Sequence, residues 1–225
     1  MSQLANAKGS PLHGFLDDSA GPSAPGVIVI HEYWGLNEQV RGVARRLAAE
    51  GFQAFAVDLF HGTLAKDANE ASAVMRALDT KRALADLREA VQALLPRAGG
   101  KLGVLGFCMG GAYALATAAH NPEVKAAVAF YGIPTPALAD VARIQGKVLG
   151  HYASRDAHVS PERVEVLEEA LKTAGVKSTL YRYEADHAFA NETRTEVYAP
   201  AAAELAWKRT LAFLHQELGG HPPPR

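Results

Sequence analysis

Short apolar runs of strand length alternate along the chain with longer segments whose apolar residues recur every three or four positions. The runs are GVIVI (26–30), FQAFAV (52–57), LGVLG (102–106), AAVAFYG (126–132), KVLGHYA (147–153) and KSTLYRY (177–183). GVIVI is β-branched and preceded by Pro25, and it reads as a buried strand. LNEQVRGVARRLAAEG (36–51) brings Leu36, Val40, Val43, Ala44 and Leu47 onto one helical face, and Gly51 suits the left-handed position after a helix. Residues 68–79 and 80–95 read as one or two helices, and GAYALATAAH (111–120) as a helix ended by Asn121-Pro122. SPERVEVLEEALKTAG (160–175) is a helix with Ser160 as N-cap and Pro161 in its first position. A last helix covers 197–218.

Strands alternating with helices predict an α/β fold with a mostly parallel central sheet covered on both faces. At 225 residues the chain fits one such domain over 1–225, with loose ends at 1–10 and 219–225. Apolar residues make up 48%, enough for a large core. The net charge of −1 and the lack of a basic stripe argue against a nucleic-acid partner. No apolar run is long enough to cross a membrane. The first residues, MSQLANAKGS, lack the basic-then-apolar pattern of a secretion signal, and a single cysteine allows no internal disulfide. The expected compartment is the cytoplasm, and the expected state a monomer or homodimer.

In sheets of this kind ligands bind beyond the carboxyl ends of the strands, so the residues just past each strand matter most. After LGVLG comes Phe107-Cys108-Met109-Gly110-Gly111 and then a helix. A free cysteine alone is most often a small buried hydrophobe. Here Gly106-x-Cys108-x-Gly110 has the G-x-S-x-G spacing of a nucleophile elbow, with sulfur in place of oxygen. The tight strand-to-helix turn needs small flanking residues, lifts the sulfur clear of the sheet and sets it at a helix N-terminus that favours thiolate. The glycines lack the spacing of a dinucleotide site or a phosphate loop, so no cofactor is expected.

A thiol nucleophile needs a base, and the base an orienting acid, in the chain order nucleophile, acid, histidine. Asp156 comes after KVLGHYA, and Asp186-His187 after STLYRYEA. His187 is the expected base and Asp156 the expected acid; His158 and Asp186 are their rivals. After GVIVI comes His31-Glu32-Tyr33-Trp34-Gly35, the loop that supplies one oxyanion donor. The backbone N–H groups of Met109 and Tyr33 are the candidates. Gly35 stands where an HExxH metal motif needs its second histidine, so no metal is expected. Glu32 reads either as a carboxylate beside the thiol or as a surface cap of the next helix. Tyr33, Trp34, Phe107 and Phe189 are expected to line an apolar pocket.

Together these residues resemble the dienelactone hydrolase family, carboxymethylenebutenolidase-like α/β-hydrolases. The carrying segments are VIVIHEYWGLN (27–37), VDLFHG (57–62), GFCMGG (106–111), RDAHVSPE (155–162) and YEADHAFAN (183–191), and the likeness runs from about Gly26 to Leu214. The resemblance implies the α/β-hydrolase fold and cleavage of a small-molecule ester or lactone through a thioacyl-enzyme. It puts the catalytic cysteine on Cys108, the aspartate on Asp156, the histidine on His187 and the active-site glutamate on Glu32. In the family that glutamate helps to deprotonate the thiol when substrate arrives. The best-known members also hold a dienelactone carboxylate with two arginines and a tyrosine. The matching positions here are Asn191, a substrate-binding candidate without charge, Ala68 and Ser72; Arg194 and Arg76 are the possible substitutes. A strongly anionic dienelactone is therefore expected to be a poor substrate. The competing readings are a catalytically silent scaffold that binds a small molecule or partner, and a thiol redox sensor, which would need an outside thiol.

Overall fold

All six apolar runs become strands of one sheet. In this computed structural model, which describes residues 4–220, they are β2 (Gly26–Ile30), β3 (Gln53–Val57), β4 (Leu102–Phe107), β5 (Val124–Phe130), β6 (Lys147–Ala153) and β7 (Ser178–Tyr183). A seventh strand, β1 (Gly14–Asp17), was not anticipated. It has four residues, of which Leu16 alone is buried, and it carries no alternation long enough to read. The strand order is β1-β3-β2-β4-β5-β6-β7, with β1 antiparallel to β3 and every other pairing parallel.

The side chains of β2 alternate between two cores. Ile28 and Ile30 face Leu87 and Leu94 of α3 (Thr80–Arg97) and Leu115 of α4 (Met109–His120). Val27 and Val29 face Val40 and Leu47 of α1 (Glu38–Ala49) and Leu214 of α6 (Pro200–Leu218). The layer of α3 and α4 is completed by Val164, Leu167 and Leu171 of α5 (Pro161–Thr173). Leu87, Leu94 and Leu47 are fully buried, each worth about 1.5–3 kcal/mol relative to exposure.

The segment 68–95 forms two helices, α2 (Ala68–Ala77) and α3, because Leu78 turns extended and the Asp79 side chain accepts from the N–H groups of Lys81 and Arg82. At α1 the cap is Asn37, which accepts from Val40 N at 3.1 Å. Ser160 occupies the N-cap position of α5, but its side chain makes no capping bond there. Of the expected loose ends, residues 1–3 and 221–225 lie outside the described residues. Within them, Leu4 is buried at 2% exposure and Asn6 Nδ2 donates to Glu89 at 3.1 Å. Residues 4–6 are therefore packed on the body instead of fraying from it. Among the described residues, no helix is long and apolar enough to cross a membrane.

His151, at the centre of β6, joins the sheet to α6. Its ring is fully buried, with Nδ1 2.8 Å from the Tyr183 hydroxyl and Nε2 3.0 Å from the Thr210 hydroxyl. Burial, helped by the Arg209 cation, pushes its pKa down from 6.5 to about 3. The unfolded chain thus takes up a proton below 6.5 that the folded chain refuses until about 3, so stability falls with acid across that window. The slope from this one group is about 1.4 kcal/mol per pH unit at most. His151→Gln keeps a donor and an acceptor but cannot titrate. Its urea midpoint is expected to fall less steeply than that of the wild type between about pH 6 and 4. Equal slopes would mean that other groups set the acid limit.

Candidate active site

Cys108 sits between β4 and α4 in a backbone conformation that side chains rarely adopt, φ 53° and ψ −117°. Such a residue costs about 1–3 kcal/mol and persists only where its surroundings enforce it. Here the surroundings are backbone. Cys108 N donates to the Phe130 carbonyl at 2.9 Å. A Cβ on Gly106 would lie 1.9 Å from the Gly110 carbonyl, one on Gly110 2.3 Å from that of Ile30, and one on Gly132 2.2 Å from that of Cys108. The first turn of α4 therefore rests directly on the ends of β2, β4 and β5, and glycine is required at each contact.

Two loops bring polar side chains to the sulfur. The loop after β7 sets His187 Nε2 3.1 Å from Cys108 Sγ, and the loop after β6 sets Asp156 Oδ2 2.6 Å from His187 Nδ1. The other carboxylate oxygen of Asp156 accepts from the N–H groups of His158 at 2.7 Å and Val159 at 2.8 Å. Burial would raise the pKa of Asp156, but the bonds from His187 and the two amides outweigh it and lower it. Burial would likewise lower His187, yet the Asp156 bond and the Cys108 contact raise it to about 10. Neither rival bonds the sulfur or the Nδ1 of His187. Asp186 pairs with Arg155 at 3.2 Å, and the His158 ring lies edge-on to His187, with centroids 4.8 Å apart.

Glu32 is buried at 4% exposure. Its oxygens accept from the Tyr131 hydroxyl at 3.0 Å and from Asn191 Nδ2 at 2.8 Å. It does not cap α1, whose cap is Asn37. Burial raises its pKa, against the two hydrogen bonds and the charge of His187. Tyr131 escaped the sequence reading. It is fully buried, has φ 40°, and stacks edge-on against His187 at 5.1 Å. The one available cue was its position immediately after β5.

A cavity of about 660 Å³ opens over these groups. Cys108, His187, Glu32, Tyr33, Met109 and Tyr131 all line it. The expected lining residues Trp34, Phe107, Phe189 and Asn191 do not. Phe107 and Phe189 belong to the core beneath, where Phe107 packs on Phe130 and Phe189 on Tyr131 and Tyr183. The Trp34 ring packs edge-on against Tyr33 and lies under the Arg194 guanidinium. Asn191 is buried: its amide donates to Glu32, and its oxygen accepts from the Thr193 N–H and hydroxyl. Of the substitutes considered for the missing arginines, Arg194 lines the cavity and Arg76 does not. Arg194 pairs with Glu196. Two further arginines line the wall: Arg155 pairs with Asp186 and Glu184, and Arg163 donates to the His158 carbonyl at 2.8 Å.

Comparison with known proteins gives a consistent picture. The family model described as the dienelactone hydrolase family matches residues 12–218. An Escherichia coli (strain K12) protein with the provisional name carboxymethylenebutenolidase is 34% identical over 222 residues, 91% of this chain and 81% of its own. A Bradyrhizobium protein, provisionally named 2-oxo-3-(5-oxofuran-2-ylidene)propanoate lactonase, is 32% identical over 213 residues, 87% of this chain and 85% of its own. The crystal structure of a dienelactone hydrolase-like promiscuous phosphotriesterase from metagenomic libraries superposes with a TM-score of 0.85 at 26% identity. It covers 97% of this chain and 98% of that one.

Two glycine substitutions separate the constraint at the elbow from an ordinary helix effect. Gly106→Ala drives a methyl group into the Gly110 carbonyl and is expected to cost about 3 kcal/mol or more in urea unfolding. Gly42 lies within α1 with open space at its Cβ position, so Gly42→Ala is expected to add about 0.5–1 kcal/mol. Similar effects of the two changes would contradict the packing described for the elbow.

Proposed function

The chain belongs to the dienelactone hydrolase family and has the α/β-hydrolase fold, and from that premise we propose that it hydrolyses carboxylic esters or lactones through a thioacyl-enzyme. The observation that carries the reading is the relay from Asp156 through His187 to Cys108, with gaps of 2.6 and 3.1 Å, on the wall of a substrate-sized cavity.

The proposed reaction begins with the thiol proton on His187 Nε2. The Cys108 thiolate attacks the carbonyl carbon, and its π electrons move to oxygen. The N–H groups of Met109 and Tyr33 receive the oxyanion, each worth about 3–4 kcal/mol to the transition state. Collapse breaks the C–O bond, and imidazolium His187 protonates the departing alkoxide. Water then attacks the thioester, giving its proton to His187, and the thiolate leaves as the carboxylic acid forms. Asp156 holds the ring in the tautomer with its proton on Nδ1 and stabilises the cation. Glu32 faces the same cavity but spends its oxygens on Tyr131 and Asn191. For it to assist the thiol, as the family resemblance implies, substrate must first disturb those bonds.

A silent binding scaffold would have no need to hold a histidine between a thiol and a buried aspartate. A redox sensor would need neither the aspartate nor the lining shared by Tyr33 and Met109. Hydrolysis of p-nitrophenyl acetate by the wild type, abolished in Cys108→Ala, separates the three readings. In the same assay His187→Ala and Asp156→Asn are expected to lower kcat by about a hundredfold or more. Asp186→Asn and His158→Ala should stay within about tenfold, since neither side chain bonds the sulfur or the Nδ1 of His187. Comparable damage from Asp186→Asn would mean that the acid is misassigned.

Substrate charge gives a second test. Asn191 carries no charge and does not line the cavity, and Arg155 and Arg194 already hold carboxylates. A charged substrate group would lose hydration with incomplete return. kcat/KM for a neutral short-chain aryl ester is therefore expected to exceed that for a dienelactone with a free carboxylate. The reverse order in the wild type, lost in Arg163→Ala or Arg194→Ala, would show that a cavity arginine recognises the anion.

A further inference from the structure

His31 belongs to neither the relay nor the cavity wall, yet it is fully buried and polar beside the site. Its Nδ1 lies 2.6 Å from the Glu32 carbonyl oxygen, and its Nε2 lies 3.1 Å from the N–H of Leu59. A carbonyl oxygen only accepts and a peptide N–H only donates, so the tautomer is determined: the proton is on Nδ1 and Nε2 is bare. The ring sits edge-on to Phe60 at 4.8 Å, with Asp58 Oδ1 3.9 Å from Nε2. Burial, opposed by the Glu32 carbonyl and the Asp58 charge, lowers the pKa of His31 and keeps it neutral.

The carbonyl that His31 grips belongs to the peptide unit between Glu32 and Tyr33. That unit is planar and trans, so its C=O and N–H point in opposite directions. Fixing the oxygen fixes the direction of the Tyr33 N–H. Gly35 N, 3.3 Å from the same oxygen, closes the turn. The turn also leans on the loop after β3 at a second point, since a Cβ on Gly35 would lie 2.4 Å from the Thr63 carbonyl. The His31 ring thus spans two loops and bonds backbone on both.

We propose that His31 is a positioning residue for the oxyanion contact, acting through the Glu32 carbonyl to aim the N–H of Tyr33 into the cavity. The inference rests on the ester-hydrolase reading above. His31 touches no substrate atom; its effect is confined to the stage at which charge develops on the carbonyl oxygen. Losing it should therefore lower kcat with little change in KM, and should leave the nucleophilicity of Cys108 alone.

The test compares wild type, His31→Phe and His31→Gln with p-nitrophenyl acetate, alongside the rate at which iodoacetamide alkylates Cys108. Phenylalanine fills the space without either bond. Glutamine carries one donor and one acceptor that can replace both. His31→Phe is expected to lose roughly tenfold to a hundredfold in kcat, less than outright removal of an oxyanion donor, with KM within about twofold. Its alkylation rate should match the wild type, and His31→Gln should recover most of the kcat. Unchanged kcat in His31→Phe would overturn the proposal. So would a parallel loss of alkylation and kcat, which marks general damage to the site, or a His31→Gln no better than His31→Phe. A wild type without activity on any ester would instead remove the functional reading beneath it, leaving the alkylation rates as the record of an intact thiol.

Discussion

Backbone meets backbone where α4 begins, and the site depends on that contact. The helix starts so close to three strand ends that no Cβ fits at Gly106, Gly110 or Gly132. Because the approach is this close, Cys108 is forced to positive φ, and its side chain is turned out of the sheet toward the loops after β6 and β7. The same approach brings the helix N-terminus to the sulfur, where unpaired peptide N–H groups favour negative charge. Geometry and electrostatics at the thiol thus come from one packing decision. The strain at Cys108 is offset by the two large cores on either face of the sheet.

The second constraint is a buried carboxylate. Removing Glu32 from water is costly unless its lone pairs are met. Tyr131 and Asn191 meet them with neutral donors, and the chain ties up the rest of Asn191 with Thr193 to keep the amide oriented. Neutral donors leave the proton affinity of Glu32 raised.

The sulfur, the histidine and the aspartate were legible because each comes just after a strand, and strand ends in a parallel sheet converge on one edge whatever the details. Chain order admits both Asp156 and Asp186; adjacency to His187 speaks against Asp186, which the structure gives to Arg155. What failed was direction. Phe107 and Phe189 flank key residues in the sequence, but alternation along a strand and the turn at Ala188 (φ 65°) send them into the core. Asn191 does not line the cavity; its amide is turned to Glu32, a partner 159 positions away. The bonds from Tyr131 to Glu32 and from Leu59 to His31 were not legible for the same reason: they span 99 and 28 positions, which local pattern cannot bring together. The strand β1 was missed because four residues with one buried position carry too little periodicity.

His187 comes from the edge of the sheet. Strand β7 has a neighbour on one side only, and His187 lies four positions past its last residue. Edge strands and the loops they carry belong to the least protected part of a structure, which opens at a lower free energy than the centre. Cys108, by contrast, stands at the middle of the sheet, at the end of β4 between β2 and β5. The two side chains therefore belong to regions of different cooperativity. Warming would detach the histidine while the sulfur still stood on an intact elbow, so activity would fade before circular dichroism registered unfolding. Amide exchange at residues 178–183 running faster than at 102–107 would be the signature of that order; uniform exchange would mean that the sheet opens as one piece.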